Sequence, residues 1–281
     1  MINFNGTIVE NAKLSLDNRG YKWGDALSET LKVVNSKILF WEDHYFRLMA
    51  SMRILRMEIP MAFTMEFLEQ EILKTIQANN LNESAVKVRF NVDRGEGAEC
   101  IPNKKSISYS IETEKLEGNS YELFEASDTY TFDLYKDYFL APGLLSTLNT
   151  NNKIINVLGG IYAQENDLDN CFLLNTEKNL IGALNGNVFL VNANKIKTPP
   201  ILDGCSNGIM RKQILELIKS LNDYEVEEAS ISVFELQKAD EVFITNVIQG
   251  IQPVLSYRKK NYVTKVSQDL VQRLNAKLDL I

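Results

Sequence analysis

At 281 residues the chain is long enough for one large domain or two of medium size. It is 45% apolar and 24% charged, as folded globular proteins are, and its net charge of −7, with both signs interspersed, argues against a nucleic-acid or anionic-membrane surface. A single histidine, His44, leaves little material for a Ser-His-Asp, Cys-His or multi-histidine metal centre, and Cys100, Cys171 and Cys205 are too scattered for a disulfide framework.

Strand and helix signals alternate from the start. Residues 4–12 read as a strand with an Asn5-Gly6 turn near its beginning, and residues 31–34 and 37–40 form a hairpin pattern around Asn35-Ser36. Asp43 is placed to cap a helix whose apolar face is Tyr45, Leu48, Met49, Met52 and Leu55. A second helix fits 65–79, and VKVRFNV (86–92) alternates as a strand. Polarity rises across 112–119, which sets expected domains at 1–115 and 120–281. Beyond it, 153–165 reads as a helix containing Gly159-Gly160, a pair that costs roughly 1 kcal/mol per residue against alanine and predicts close packing. Residues 171–174, 188–191 and 241–245 read as buried strands, and 207–221 as a helix. Mixed elements in both halves predict two α+β domains meeting at a cleft. No apolar run approaches the roughly 20 residues that span a bilayer, and residues 1–10 lack a signal sequence, so a cytoplasmic protein without membrane contact is expected.

Short motifs recur in a fixed order. They are NRGYKWGDALSET (18–30), HYFRL (44–48), TLNTNN (147–152), LIGALNGNVF (180–189), KTPPILDGCSNGIMR (197–211) and ADEVFITNVIQGIQPV (239–254). Together these resemble the class IV aminotransferases, the fold type IV pyridoxal-phosphate enzymes that include branched-chain and D-amino-acid aminotransferases and aminodeoxychorismate lyase. The resemblance implies the α+β fold type IV aminotransferase-like architecture, two α+β domains with the ligand cleft between them, and a homodimer acting on an amino-acid-like small molecule. GIMR in place of GITR leans slightly toward the lyase branch.

A phosphate dianion needs aimed N–H donors and a cation, and a helix N-terminus supplies the first. Gly208, Ile209 and Met210 stand where a helix begins, and Thr245 and Asn246 stand at a strand end. By resemblance these five hold the phosphate of pyridoxal phosphate, with Arg47 as the cation. The family's Schiff-base lysine and its cofactor-ring glutamate are missing. Spacing to Asn187 without a gap puts Asn149 at the lysine position and Gly182 at the glutamate position, while an alignment with extra residues before Asn187 puts Ser146 at the lysine position. Neither alignment yields an amine. Lys153 is the nearest substitute, and Arg89 and Arg94 are candidates for binding a substrate carboxylate. Tyr21 and Trp23 line either the pocket or the core, and His44 has an orienting or structural part. Three functions follow: a protein that binds pyridoxal phosphate or a similar phosphorylated ligand without the lysine chemistry, an active aminotransferase or lyase using another amine, and a non-catalytic dimeric scaffold.

Overall fold

The computed structural model describes residues 1–123 and 130–279. It divides into two compact units, Met1–Asn119 with Asn149–Asn152, and Ser120–Leu148 with Lys153–Ile281.

In the first unit the predicted strand at 4–12 is a hairpin. Asn5 and Gly6, at φ 50° and 84°, turn the chain between β1 (Ile2–Phe4) and β2 (Thr7–Val9). Positive φ at both turn positions matches strand twist, and Asn-Gly adopts it cheaply. A short helix α1 (Arg19–Trp23) follows, capped by Asn18 Oδ1 at the Tyr21 amide and closed by left-handed Gly24. The expected hairpin pairs β3 (Ala26–Val34) with β4 (Lys37–Ile38) through Asn35 and Ser36, both at positive φ. Helix α2 (Trp41–Ile54) takes Phe40, in the left-handed region, as its N-cap. Asp43 therefore does not cap it. It lies with Glu42 in the first turn, where its charge meets the positive helix end. Helix α3 (Met65–Ala78), capped by Thr64 Oγ1, precedes β5 (Ala85–Asp93) and β6 (Ser108–Lys115). The polar stretch at 112–119 thus begins inside a strand.

These strands form one antiparallel sheet in the order β2-β1-β6-β5-β3-β4. Leu48 and Met52 of α2 and Leu68, Ile72 and Ile76 of α3 share a buried cluster with Leu31, Val88, Phe90 and Ile111 of the sheet. Burying each such side chain contributes about 1.5–3 kcal/mol.

A polar cluster ties α1 to the sheet. Asn18 Nδ2 donates to Asp93 Oδ1 at 2.8 Å, and Arg19 and Arg94 both donate Nε–H to Asp25 Oδ2, at 3.0 and 2.8 Å. Burial pushes the Asp93 carboxyl up to about 6 against the hydrogen bonds from Asn18 and its own backbone, with help from the Asp25 charge. A carboxyl raised in the folded state stabilises only while it is protonated. Its contribution is complete below the unfolded value of about 4 and lost as pH rises through about 6. Asp93→Asn keeps an acceptor for Asn18. It is expected to be more stable than the parent above pH 6, the gain vanishing below about pH 4, in urea melts across a pH series.

The second unit begins with β7 (Thr131–Leu134) and a 3-10 turn at Leu144–Thr147. Helix α4 (Ile154–Glu165) comes next, then the hairpin β8 (Asn170–Leu174) and β9 (Asn179–Ala183), then β10 (Asn187–Asn192) and β11 (Lys195–Thr198). Helix α5 (Ile209–Lys219), β12 (Glu225–Glu228), β13 (Ile231–Ser232) and the short helix α6 (Glu235–Lys238) lead to β14 (Glu241–Asn246). The chain closes with β15 (Gly250–Pro253), β16 (Ser256–Tyr257), β17 (Lys260–Asn261) and α7 (Lys265–Leu278).

Two sheets result, β12-β11-β10-β14-β15 and β13-β9-β8-β7-β16-β17. Phe132, Phe172, Leu174 and Leu180 of one share a buried cluster with Val188, Leu190, Val242 and Ile244 of the other. The predicted close packing holds for one glycine of the α4 pair. A Cβ on Gly159 would come within 2.6 Å of Leu184 Cδ2, whereas Gly160 faces open space. Among the described residues no helix is long and apolar enough to cross a membrane.

Candidate functional site

In the second unit, helix α5 begins at Gly208, whose φ of −72° and ψ of 137° leave it extended and which, as the N-cap, has no side chain with which to cap the helix. The first-turn amides of Ile209 and Met210 have no intrahelical partner, so the helix end keeps its donors and its partial positive charge. Asn187, at the start of β10, explains why position 208 is glycine. Its Nδ2 donates to the Ser206 carbonyl at 2.8 Å, and a Cβ on Gly208 would collide with its Oδ1. Asn187 pairs in register with Thr245 at the end of β14. Thr245 is only 2% exposed, yet its Oγ1 has no hydrogen-bond partner. A buried hydroxyl without a partner is costly and points to a missing acceptor or donor.

Gly186 joins these elements to position 182. A Cβ on Gly186 would lie 2.9 Å from the Thr245 carbonyl oxygen, and one on Gly182 would lie 3.0 Å from the Gly186 carbonyl oxygen. The structure therefore gathers Gly182, Asn187, Gly208 and Thr245 around one tight turn. Asn246 has a different task. Its Oδ1 accepts from the amides of Ile248 and Gln249 and its Nδ2 donates to Gln249, so the side chain builds the β14–β15 turn. The Asn246 side chain is thereby committed to the turn, and its backbone stands opposite Gly250 in the β14–β15 ladder.

Asn149 belongs to the first unit. Residues 149–152 run beside the start of β3: Ser28 N–H donates to the Asn149 carbonyl at 2.9 Å, and Asn151 N–H to the Ala26 carbonyl at 3.1 Å. Asn149 Nδ2 donates to the Ser28 carbonyl, so the side chain is turned back on the strand. Ser146, in the second unit, donates its hydroxyl to the Gly143 carbonyl. Lys153 is the exposed N-cap residue of α4.

Arg47 lies on α2 in a buried ion pair with Glu29 of β3, through Nε to Oε1 at 2.8 Å and a terminal nitrogen to Oε2 at 2.5 Å. His44 Nδ1 lies 2.8 Å from the same Oε2. Burial raises the Glu29 carboxyl, but the Arg47 charge and the hydrogen bonds from His44 and Arg47 outweigh it and hold the group down at about 2. Burial lowers His44 below its usual value despite Glu29. The imidazole is thus neutral and donates Nδ1–H, and its buried Nε2 has no partner. The ring is buried in the Glu29–Arg47 cluster.

Arg94 is buried and donates from each of its three nitrogens, to Asp25 and to the Leu55 and Arg56 carbonyls, and Arg89 is exposed on β5. Tyr21 and Trp23 are 71% and 44% exposed, so neither is a core residue. Sequence reasoning gave no part to Glu29 or Asp25 and used Asn187 only as a spacing marker. The signal for Glu29 lay in its place fifteen residues before His44, a separation that means nothing until β3 and α2 pack.

Two kinds of donor stand here, the first-turn amides of α5 and the unsatisfied Thr245 hydroxyl, while the Gly208 amide is already bonded to the Ser206 carbonyl. These fit the phosphate of pyridoxal phosphate. The positions expected to hold an amine and a carboxylate hold Asn149 and Gly182, which do not fit covalent attachment.

The fold is shared with solved structures. Branched-chain amino acid aminotransferase of Escherichia coli superposes with a TM-score of 0.87 at 22% identity, covering 98% of this chain and 93% of that one. The 4-amino-4-deoxychorismate lyase of Pseudomonas aeruginosa superposes with a TM-score of 0.82 at 24% identity, covering 99% and 100%. The family model for class IV amino-transferases matches residues 26–257, and the chain belongs to that family. Among its relatives, D-alanine aminotransferase of Bacillus licheniformis is 26% identical over 263 residues, 90% of this chain and 87% of that protein. Aminodeoxychorismate lyase of Vibrio harveyi is 22% identical over 239 residues, 85% of each.

Proposed function

We propose that the protein binds pyridoxal phosphate, or a ligand with the same phosphorylated end, without covalent attachment, and that it is impaired in amino-group chemistry. The observation that carries this reading is the Thr245 hydroxyl, buried without a partner beside the uncapped start of α5. A buried hydroxyl left without a partner costs about 1–3 kcal/mol, which a bound acceptor would recover. The amides of Ile209 and Met210 and the Thr245 hydroxyl would hold the phosphate, with the Asn246 backbone beside them, and Arg47 is the cation the family likeness implies. When bound in related enzymes, pyridoxal phosphate supplies an electron sink for a substrate amine. Here the chain's own contribution is to bind and orient. Asn149 offers an amide where a lysine would carry protons, and Gly182 offers no carboxylate to keep the ring nitrogen charged. A homodimer and an amino-acid-like second ligand belong to the same proposal. The retained donor set argues against a pure scaffold.

Calorimetric titration with pyridoxal phosphate tests this. The parent is expected to bind. Thr245→Val, which removes one hydrogen bond to a charged group and no bond within the protein, is expected to weaken binding about 10–100-fold. Gly208→Ala is expected to weaken it further by displacing Asn187. Arg47→Ala completes the set. Borohydride treatment followed by mass spectrometry is expected to find no lysine adduct. A parent that fails to bind overturns the proposal, and an adduct on Lys153 returns the chain to the active enzymes.

A further inference from the structure

A second recess in the same unit uses none of the residues just described. It encloses about 680 Å³, within the range of small-molecule sites. Its floor is apolar, made by Leu134 of β7, Leu174 of β8 and Tyr257 of β16, and Val233, Phe234 and Phe139 form the walls. Phe234 is 75% exposed and Phe139 36%, aromatic rings left unusually open.

Four cations complete the lining, Lys136, Lys178, Lys238 and Arg258, and among the described residues no acidic side chain lines it. Arg258 is already engaged, donating to Asp133 at 2.9 Å and stacked 5.1 Å from the centre of the Tyr257 ring. Lys238 lies near enough to Glu235 to lower that carboxyl, but the Glu235 carboxylate is bonded to Lys197 at 2.8 Å. Neither Lys136 nor Lys178 has a side-chain hydrogen bond or ion pair among the described residues. Lys178 is held at this rim by its turn. It adopts a φ of 63° while Asn175 Oδ1 accepts from the amides of Glu177 and Asn179.

An excess of positive charge over an apolar floor is unusual in a protein of net charge −7. Like charges near low-dielectric walls repel one another, and an anion seated among them relieves that repulsion. We propose that this recess is a separate binding site for a small organic anion with an aromatic body, the rings taking its apolar part and the three lysines its acidic group.

Anilinonaphthalene sulfonate, an aromatic anion whose fluorescence rises on burial, is the probe, and its uncharged relative phenylnaphthylamine is the control. Saturable binding of one sulfonate per chain is expected. Replacing Lys136, Lys178 and Lys238 together with glutamine is expected to weaken the sulfonate about tenfold or more and to change the uncharged probe less than about twofold. Phe234→Ser is expected to weaken both. Thermal melts establish that the variants fold, which substitutions at exposed rim positions favour. Sulfonate affinity unchanged in the triple variant, or equal losses for both probes, overturns the proposal. Loss of sulfonate binding in Thr245→Val overturns it as well, because the sulfonate would then be seated at the start of α5 and not in this recess. The outcome is independent of whether pyridoxal phosphate binds at Thr245.

Discussion

Glu29→Ala is expected to destabilise the protein by about 3–5 kcal/mol, because removing one partner of a buried ion pair leaves the other charge poorly compensated. The Glu29 and Arg47 side chains are 5% and 14% exposed, too little for water to replace the carboxylate that Arg47 forks onto. The same carboxylate fixes the His44 ring, so its loss loosens α2 against β3 as well. Glu29→Gln keeps the shape and one acceptor and is expected to fall between. Urea unfolding at pH 7 measures both. The parent's pH dependence gives an independent check. Glu29 is lowered to about 2 in the folded state, so its contribution is complete above the unfolded value of about 4 and is lost as pH falls through about 2. The alanine variant is expected to lack this acid-range loss.

The second large effect is chemical. The double variant Asn149→Lys, Gly182→Glu is expected to regain a covalent lysine adduct with pyridoxal phosphate at residue 149, trapped by borohydride and located by mass spectrometry. The parent starts from none. Asn149 is freed by breaking only its Nδ2–H bond to the Ser28 carbonyl, since the backbone pairing with β3 does not involve the side chain. Gly182 is harder to replace. A Cβ there would lie 3.0 Å from the Gly186 carbonyl oxygen, so the turn must give by a few tenths of an ångström. Gly186 is itself packed on Thr245, which limits how far it can move. Asn149→Lys alone is therefore expected to form the adduct with less loss of stability. An adduct absent from both variants refutes the placement of Asn149 at the lysine position.

What the sequence reveals about this molecule divides along the range of the interactions involved. Periodicity located α3, β5, α4, β8, β10 and β14 within a few residues, because local burial patterns govern them. Near the caps it failed where the backbone took an unusual conformation: Phe40, in the left-handed region, displaced Asp43 as the N-cap of α2. Arginines were the least legible. Arg94 looked like a ligand-binding group until Asp25 and two carbonyls from residues 55 and 56 engaged it, and those partners lie 69, 39 and 38 positions away. Gly208 was read as an anion-binding glycine, but its neighbour Asn187, which forbids any side chain there, is visible only once β10 and α5 meet. Asn246 resembled a ligand-facing residue because a turn-building asparagine and a binding asparagine look alike in one dimension.

The four residues Asn149–Asn152 pack with the first unit although the chain on either side of them belongs to the second. A ribosome that has released only the first 119 residues has not yet supplied the backbone that pairs with Ala26 and Ser28. The amino-terminal unit therefore cannot complete itself until residue 152 has emerged, and until then the edge of β3 away from β5 at Ala26–Ser28 lacks a contact that closes a loop of 121 positions. A fragment ending before residue 149 is born with an open sheet edge, the feature that chaperones hold and aggregates extend.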